Sequence, residues 1–216
     1  MPGACVVGAT GLVGRALVAQ LVQDKAVDAV HLMVRRVDVG FAASGQAKVV
    51  QHVIDFDQIA QADWPACEVL FCCLGTTIKT AGSQAAFRRV DVDYVIASAR
   101  RARQTGATQL AVVSALGASP TSDVFYNRIK GEMEGAVASL GFHGVTIVRP
   151  SLLDGDRKEM RPAERVALLL MKIGKLFVPK KYRAVTVAAV ASALRASAQL
   201  GRQGVHIIES DQLQTA

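Results

Sequence analysis

The sequence predicts an α/β fold, a doubly wound and mainly parallel sheet of the Rossmann type. Three observations predict it. Short apolar runs alternate with helical periodicity along almost all of the 216 residues, the pattern of successive βαβ units. The segments after the runs (35–46, 75–83, 114–123, 149–161) are long and rich in Gly, Ser, Thr, Asp or Arg, whereas those after the first helices (24–28, 104–108, 140–144) are short. The long segments therefore share one edge, outside the carboxyl ends of the strands, where open parallel sheets bind ligands. Finally, the first apolar run leads into three glycines spaced three apart.

That first stretch organises the chain. Ala4 to Val7 reads as a buried strand, and Val13, Leu17 and Leu21 fall on one face of a helix from about Leu12 to Gln23. Between them stands Gly8-Ala9-Thr10-Gly11-Leu12-Val13-Gly14. Gly8 allows a sharp turn, Gly11 lets backbone approach a pyrophosphate, and Gly14 lets the helix pack close to the strand. The helix N-terminus adds free N–H groups and partial positive charge. All seven residues are candidates for a dinucleotide seat; the alternative is a tight structural turn.

The second strand is expected at Ala29 to Val34. Where an acid would meet the ribose 2′-hydroxyl of NAD, about 20 residues past the glycines, the chain has Arg35 and Arg36, and the nearest acid, Asp38, comes later. Two guanidiniums there suit the 2′-phosphate of NADP(H); a solvated arginine pair is the alternative. The third strand, Lys48 to Ile54, leads to Asp55, which either faces the adenine or caps a short helical segment from Asp57. The fourth, Glu68 to Leu74, ends in Gly75-Thr76-Thr77, small and hydroxyl residues suited to the nicotinamide end.

Further elements are a helix from about Ser83 to Gln104, a strand at Leu110 to Val113 stopping at Ser114, and a helix from Asp123 to about Leu140. A strand at Val145 to Val148, helices at about 162–176 and 187–200, and a strand at Val205 to Ile208 complete the pattern. The whole chain, 1–216, is read as one domain, with 149–185 as a small cap on the substrate side.

Tyr126 and Lys130 lie four apart on one helix face. A phenol near pKa 10 exchanges protons poorly at neutral pH, and an ammonium one turn away favours its ionised form and can also hold ribose hydroxyls. The alternative is a surface lysine beside a packed tyrosine. Ser114 stands where a hydroxyl would orient a substrate carbonyl, but Ala115 and Leu116 follow it, so Ser119 or Ser122 could supply that hydroxyl instead.

Eight stretches now occur in order: Gly8 to Gly14, Arg35-Arg36, Val53 to Phe56, Cys73 to Thr77, Val90 to Tyr94, Ser114 to Ala118, Tyr126 to Glu134 and Arg149-Pro150-Ser151. Together they resemble the Tat-interacting-protein branch of the atypical short-chain dehydrogenases. The resemblance implies a Rossmann fold, an oxidoreductase scaffold, and NADP(H) held by Gly8, Gly11, Gly14, Arg35, Arg36, Leu74, Gly75, Tyr126 and Lys130. Pro150, in the last stretch, is assigned to the same cofactor. The expected catalytic residues are Tyr126 for the proton and Lys130 beside it, with Ser114 as the candidate that orients the carbonyl. The expected function is NADP(H)-dependent reduction or oxidation of a small carbonyl or alcohol. The alternative is a non-catalytic NADP(H)-binding regulator.

Composition bounds the rest. With 51% hydrophobic and 20% charged residues the chain is globular. Its wholly apolar runs, of which Val166 to Met171 is as long as any, are too short to span a membrane. No basic region precedes an apolar stretch near Met1, so a cytoplasmic location is expected. The four cysteines form no Cys-x-x-Cys pair and are expected to be reduced, and the four histidines fit no metal-ligand spacing. The net charge of +7 resides in 157–183, where nine basic residues face only Glu159 and Glu164. That segment is expected to favour an anionic substrate or an acidic partner, or else to be a solvated basic face. Its few aromatics, Phe177 and Tyr182, make nucleic acid the weakest reading. Monomer and homodimer are both compatible with the sequence.

Overall fold

A computed structural model describes residues 3–42, 47–154 and 179–214. Its centre is a seven-stranded parallel sheet. The strands are β1 (Ala4–Val7), β2 (Val30–Val34), β3 (Val49–Val53), β4 (Val69–Cys72), β5 (Gln109–Val113), β6 (Gly144–Arg149) and, after two short strands, β9 (Gly204–Glu209). Their order is β3-β2-β1-β4-β5-β6-β9. The order reverses between β1 and β4, so the chain leaves these neighbours in opposite directions and opens a crevice beyond their carboxyl ends.

Both faces of the sheet are covered, which is why the strands read as continuous apolar runs rather than as alternation. On one face Cys5, Val7, Leu70, Cys72 and Leu110 pack with Phe87, Val95, Ala99, Ile129 and Met133. On the other, Ala4, Val6, Leu32 and Phe71 meet Leu17 and Leu21 of α1 (Leu12–Gln23) and Val190 and Leu194 of a C-terminal helix, Val187–Leu200. Thr186 caps that helix by accepting the Ala189 N–H at 3.1 Å, and Gly201 ends it in the left-handed region at φ 55°.

The loop after β2 contains a short helix, α2 (Val39–Ala42), and a 3-10 turn at Phe56–Gln61 follows β3. A further short helix, α3 (Ile78–Ala81), follows β4. The helix expected at Ser83 to Gln104 is realised as α4 (Gln84–Arg88), a π-helical segment (Arg89–Asp93) and α5 (Tyr94–Gln104). Hydrophobic periodicity does not register one inserted residue, so that segment was not legible. Helix α6 (Phe125–Ala138) leads to β6. Beyond it, β7 (Leu153–Asp154) pairs in parallel with β8 (Val185–Thr186), bringing together the two ends of the segment read as a cap. The helix Val187–Leu200 is α7. The helix expected at 162–176, and Arg157, Lys158, Arg161, Arg165, Lys172 and Lys175 of the basic segment, lie outside the described residues.

The histidines are not all isolated. Adjacent strands bring His31 Nδ1 within 3.0 Å of His52 Nε2, and burial first, then His52, lowers the His31 pKa. All four cysteines are free thiols, with Cys73 half-buried and the others buried. Among the described residues no helix is long and apolar enough to cross a membrane.

Candidate functional site

The turn after β1 meets the turn after β4 at the strand-order reversal. Gly8 has φ +76°, and a Cβ there would stand 2.5 Å from the Cys73 carbonyl. At Gly14 a Cβ would stand 2.2 Å from Gly8 O and 2.7 Å from Ala9 Cα. Both glycines are therefore demanded by the protein's own backbone. Gly11 is different: among the described residues a Cβ there would meet only Gly8 O, at 3.4 Å. Gly11 is the N-cap of α1, no side chain caps that end, and its first turn has no acidic residue. Thr10 and Gly11 are exposed, Leu12 is half-buried, and Ala9 and Val13 are packed beneath. Open backbone at an uncapped helix N-terminus fits the phosphates of a dinucleotide.

Arg35 and Arg36 follow β2 and are exposed. Neither pairs with an acid among the described residues. Asp38, the nearest acid, is occupied: it pairs with Arg15 and accepts the Gly40 N–H at 2.9 Å. Asp55 is exposed and accepts the Asp57 N–H at 2.9 Å, so it caps the 3-10 turn. Beside it, Asp57 accepts the Tyr94 hydroxyl at 2.7 Å.

Leu74, Gly75, Thr76 and Thr77 form the rim after β4. Thr77 caps α3 by accepting the Thr80 N–H at 3.1 Å, and Thr76 donates its N–H to Asp91 Oδ2 at 2.9 Å. Helix α6 is joined to this rim through Asp91. The Tyr126 ring packs on Phe87 of α4 at 5.6 Å between centroids and keeps 37% exposure. One turn on, Lys130 is buried, with Nζ 2.7 Å from Asp91 Oδ1. Burial opposes the Lys130 charge, but Asp91, Tyr126 and Cys72 outweigh it and lift its pKa above the usual lysine value.

The buried Ser114 follows β5, donates its N–H to Val148 O at 2.8 Å, and has a hydroxyl with no hydrogen-bond partner among the described residues. Ser119 and Ser122 are spent locally. The Ser119 hydroxyl meets Thr121 at 3.0 Å, and Ser122 Oγ accepts the Val124 N–H at 3.2 Å. Pro150 is buried, and its carbonyl accepts the Leu116 N–H at 2.9 Å, joining the rims after β5 and β6.

Sequence reasoning missed two features. Asp91 is one, and its signal in the sequence is an acid between Val90 and Val92 in an otherwise packed helix. The second is Arg149, which grips Glu134 with two nitrogens and Glu209 with a third, at 2.9 Å. Hydrogen bonding to Glu134 is the main cause of its raised pKa. This network ties α6, and with it Tyr126 and Lys130, to β6 and β9. Arg149→Met should leave Glu134 buried and unpaired. Its cost should be about 2 kcal/mol in a denaturant titration, below the 3–5 of fully buried pairs, because Arg149 keeps 19% exposure. An unchanged midpoint would show that the network does not fix α6.

A family model described as NAD(P)H-binding matches residues 8–199. The chain is 35% identical over 164 residues to Protein HTATIP2 of Rattus norvegicus, covering 75% of this chain and 67% of that protein. It is 34% identical over 168 residues to Protein fmp52, mitochondrial, of Aspergillus clavatus, covering 76% and 72%. Among solved structures, a short-chain dehydrogenase/reductase from Serratia marcescens gives a TM-score of 0.69 at 17% identity, with 98% of each chain covered. MoeE5 in complex with UDP-glucuronic acid and NAD gives 0.72 at 16%, covering 96% of this chain and 76% of that one. Likeness at such identities concerns the fold.

Proposed function

The chain belongs to the NAD(P)H-binding family, and on that premise we propose that it is an NADP(H)-dependent oxidoreductase of a small carbonyl or alcohol. One observation carries the proposal: on one face of α6 stand Tyr126, part-open to solvent, and the buried Lys130, whose partner Asp91 also holds the Thr76 N–H of the rim after β4, and Cys73 at the start of that rim backs Gly8 of the glycine turn. When bound, the nicotinamide supplies or accepts the hydride. The chain's own residues do the rest. The Gly8–Gly14 turn and the α1 N-terminus seat the pyrophosphate. Leu74, Gly75, Thr76, Thr77 and Pro150 line the nicotinamide end, and Asp55 stands on the adenine side. Tyr126 holds the proton passed to or from the substrate oxygen. Lys130 stands one turn from the phenol and offers its remaining N–H groups to the ribose. Ser114 orients the carbonyl. Turnover of a panel of small aldehydes, ketones and quinones, followed by NADPH absorbance, tests the proposal.

The choice of NADP(H) over NAD(H) rests on Arg35 and Arg36, exposed and without acid partners among the described residues, while Asp38 is engaged by Arg15. An Arg35→Ala, Arg36→Ala double variant should lose about tenfold or more in NADP(H) affinity, the worth of charge-assisted contacts at about 1.5–3 kcal/mol. NAD(H) affinity should hold. Calorimetric titration of both cofactors checks this, and equal losses for the two would overturn the preference.

The proposal takes 1–216 as one domain, with 149–185 as a cap favouring an anionic substrate. The β7–β8 pairing close to Pro150, with Lys180 and Lys181 just before β8, supports that reading. It also keeps the cytoplasmic location expected from the sequence. The Aspergillus clavatus relative is named as mitochondrial, and cell fractionation decides for this chain. One observation favours a second reading, an NADP(H)-binding regulator: the Ser114 hydroxyl is closed off from solvent, and Ala115 and Leu116 follow it. Tight NADPH binding without turnover across the panel would select it.

A further inference from the structure

Asp91 is a charged group in this site to which none of the roles above gives a task. It lies in the π-helical segment between α4 and α5 and is wholly buried, at 0% exposure. Its Oδ1 is 2.7 Å from Lys130 Nζ on α6. Its Oδ2 accepts the Thr76 N–H, at 2.9 Å, from the rim after β4. One carboxylate thus joins two walls of the crevice from a third element. π-Turns concentrate where function requires a side chain to be re-aimed.

We propose that Asp91 is a positioning residue of this site, holding the Lys130 ammonium with one oxygen and the Thr76 turn with the other. The inference rests on the NADP(H) reading above, which sets Lys130 against the ribose and Tyr126. The physical reason is the burial of Lys130. An ammonium taken out of water without a counter-charge gives up its proton, and buried lysines titrate as low as about pH 5–6. The groups facing Lys130 are Asp91 from the π-helical segment, Tyr126 from its own helix and Cys72 from β4. Burial pushes the Cys72 thiol up to about 12, so it stays neutral near physiological pH. Asp91 is the carboxylate of the group. It pairs with the ammonium at 2.7 Å and leaves N–H groups to face the phenol and the ribose.

A purely architectural role for Asp91 would work through Thr76 alone. Asp91→Asn separates the two, because an amide oxygen can still accept the Thr76 N–H while the charge is gone. The measurement is the NADP+ dissociation constant by calorimetry on the full chain, from about pH 6.5 to about 9.5. It is made in a Tyr126→Phe background, so that the phenol cannot contribute to the profile. With Asp91 present, the Lys130 ammonium persists and binding should stay within about twofold, apart from the ligand's own titration. In the Asp91→Asn variant, Lys130 loses its proton inside this range and binding should weaken by about tenfold or more as pH rises. A profile parallel to that of the Asp91 protein overturns the inference alone. Absence of NADP+ binding in the unsubstituted protein overturns the NADP(H) reading and the inference with it. If Asp91→Asn fails to fold while Asp91→Asn, Lys130→Met folds, the uncompensated ammonium is the fault and the inference stands. If both fail to fold, Asp91 serves the fold and the inference falls.

Discussion

Tyr126→Phe should lower turnover by about two to four decades, the usual worth of a positioned acid or base. The substitution removes one hydroxyl and keeps the ring that packs on Phe87 at 5.6 Å, so the fold and NADPH affinity should stay close to the parent's. Lys130→Ala should behave differently. It removes an ammonium to which the proposal gives both the phenol and the cofactor, and it leaves the buried Asp91 without its partner at 2.7 Å. Binding, turnover and stability should fall together. The contrast is read from NADPH titration, steady-state rates and thermal melts of the two variants. Full activity in Tyr126→Phe would remove the proton-transfer role from this residue. For a regulator no proton moves, and Tyr126→Phe should then be silent in every assay.

Gly14→Ala should destabilise the protein by about 3 kcal/mol or more, the upper range of overpacking. The added methyl would lie 2.2 Å from Gly8 O and 2.7 Å from Ala9 Cα. These are backbone atoms of the turn, and no side-chain rotation relieves them. For a chain of 216 residues this corresponds to a loss of roughly 6–12 °C in Tm, at about 2–4 °C per kcal/mol. Gly11→Ala, in the same turn, should cost at most about 1 kcal/mol, as an N-cap change. Among the described residues its methyl meets only Gly8 O at 3.4 Å, but it enters the space assigned to the pyrophosphate, so NADPH affinity should fall by about tenfold or more. Melting curves and calorimetry on the pair separate the two roles of one motif. Gly11→Ala binding NADPH as the parent does would move the pyrophosphate away from this turn.

The sequence by itself determined the parallel α/β architecture, because hydrophobic period and loop length are local properties of the chain. Runs such as Ala4–Val7 and Val69–Cys72 are short, wholly apolar and bounded by turns, the mark of strands buried on both faces. It also determined the glycine turn, the Arg35-Arg36 pair after β2, and the shared helix face of Tyr126 and Lys130, since each lies within a few residues of chain. Tertiary structure decided what depends on residues far apart. It separated Gly8 and Gly14, which the backbone itself requires, from Gly11, which it leaves open; the distinction rests on Cys73 and on turn geometry that no spacing reveals. It assigned Asp55 a capping bond and engaged Asp38 with Arg15. It put Asp91 under Lys130 and bound Arg149 to Glu134 and Glu209. Charge pairing of this kind leaves almost no trace in hydrophobic periodicity. A buried acid is recognisable only when the fold supplies the cation opposite it, and Lys130 stands 39 positions along the chain from Asp91.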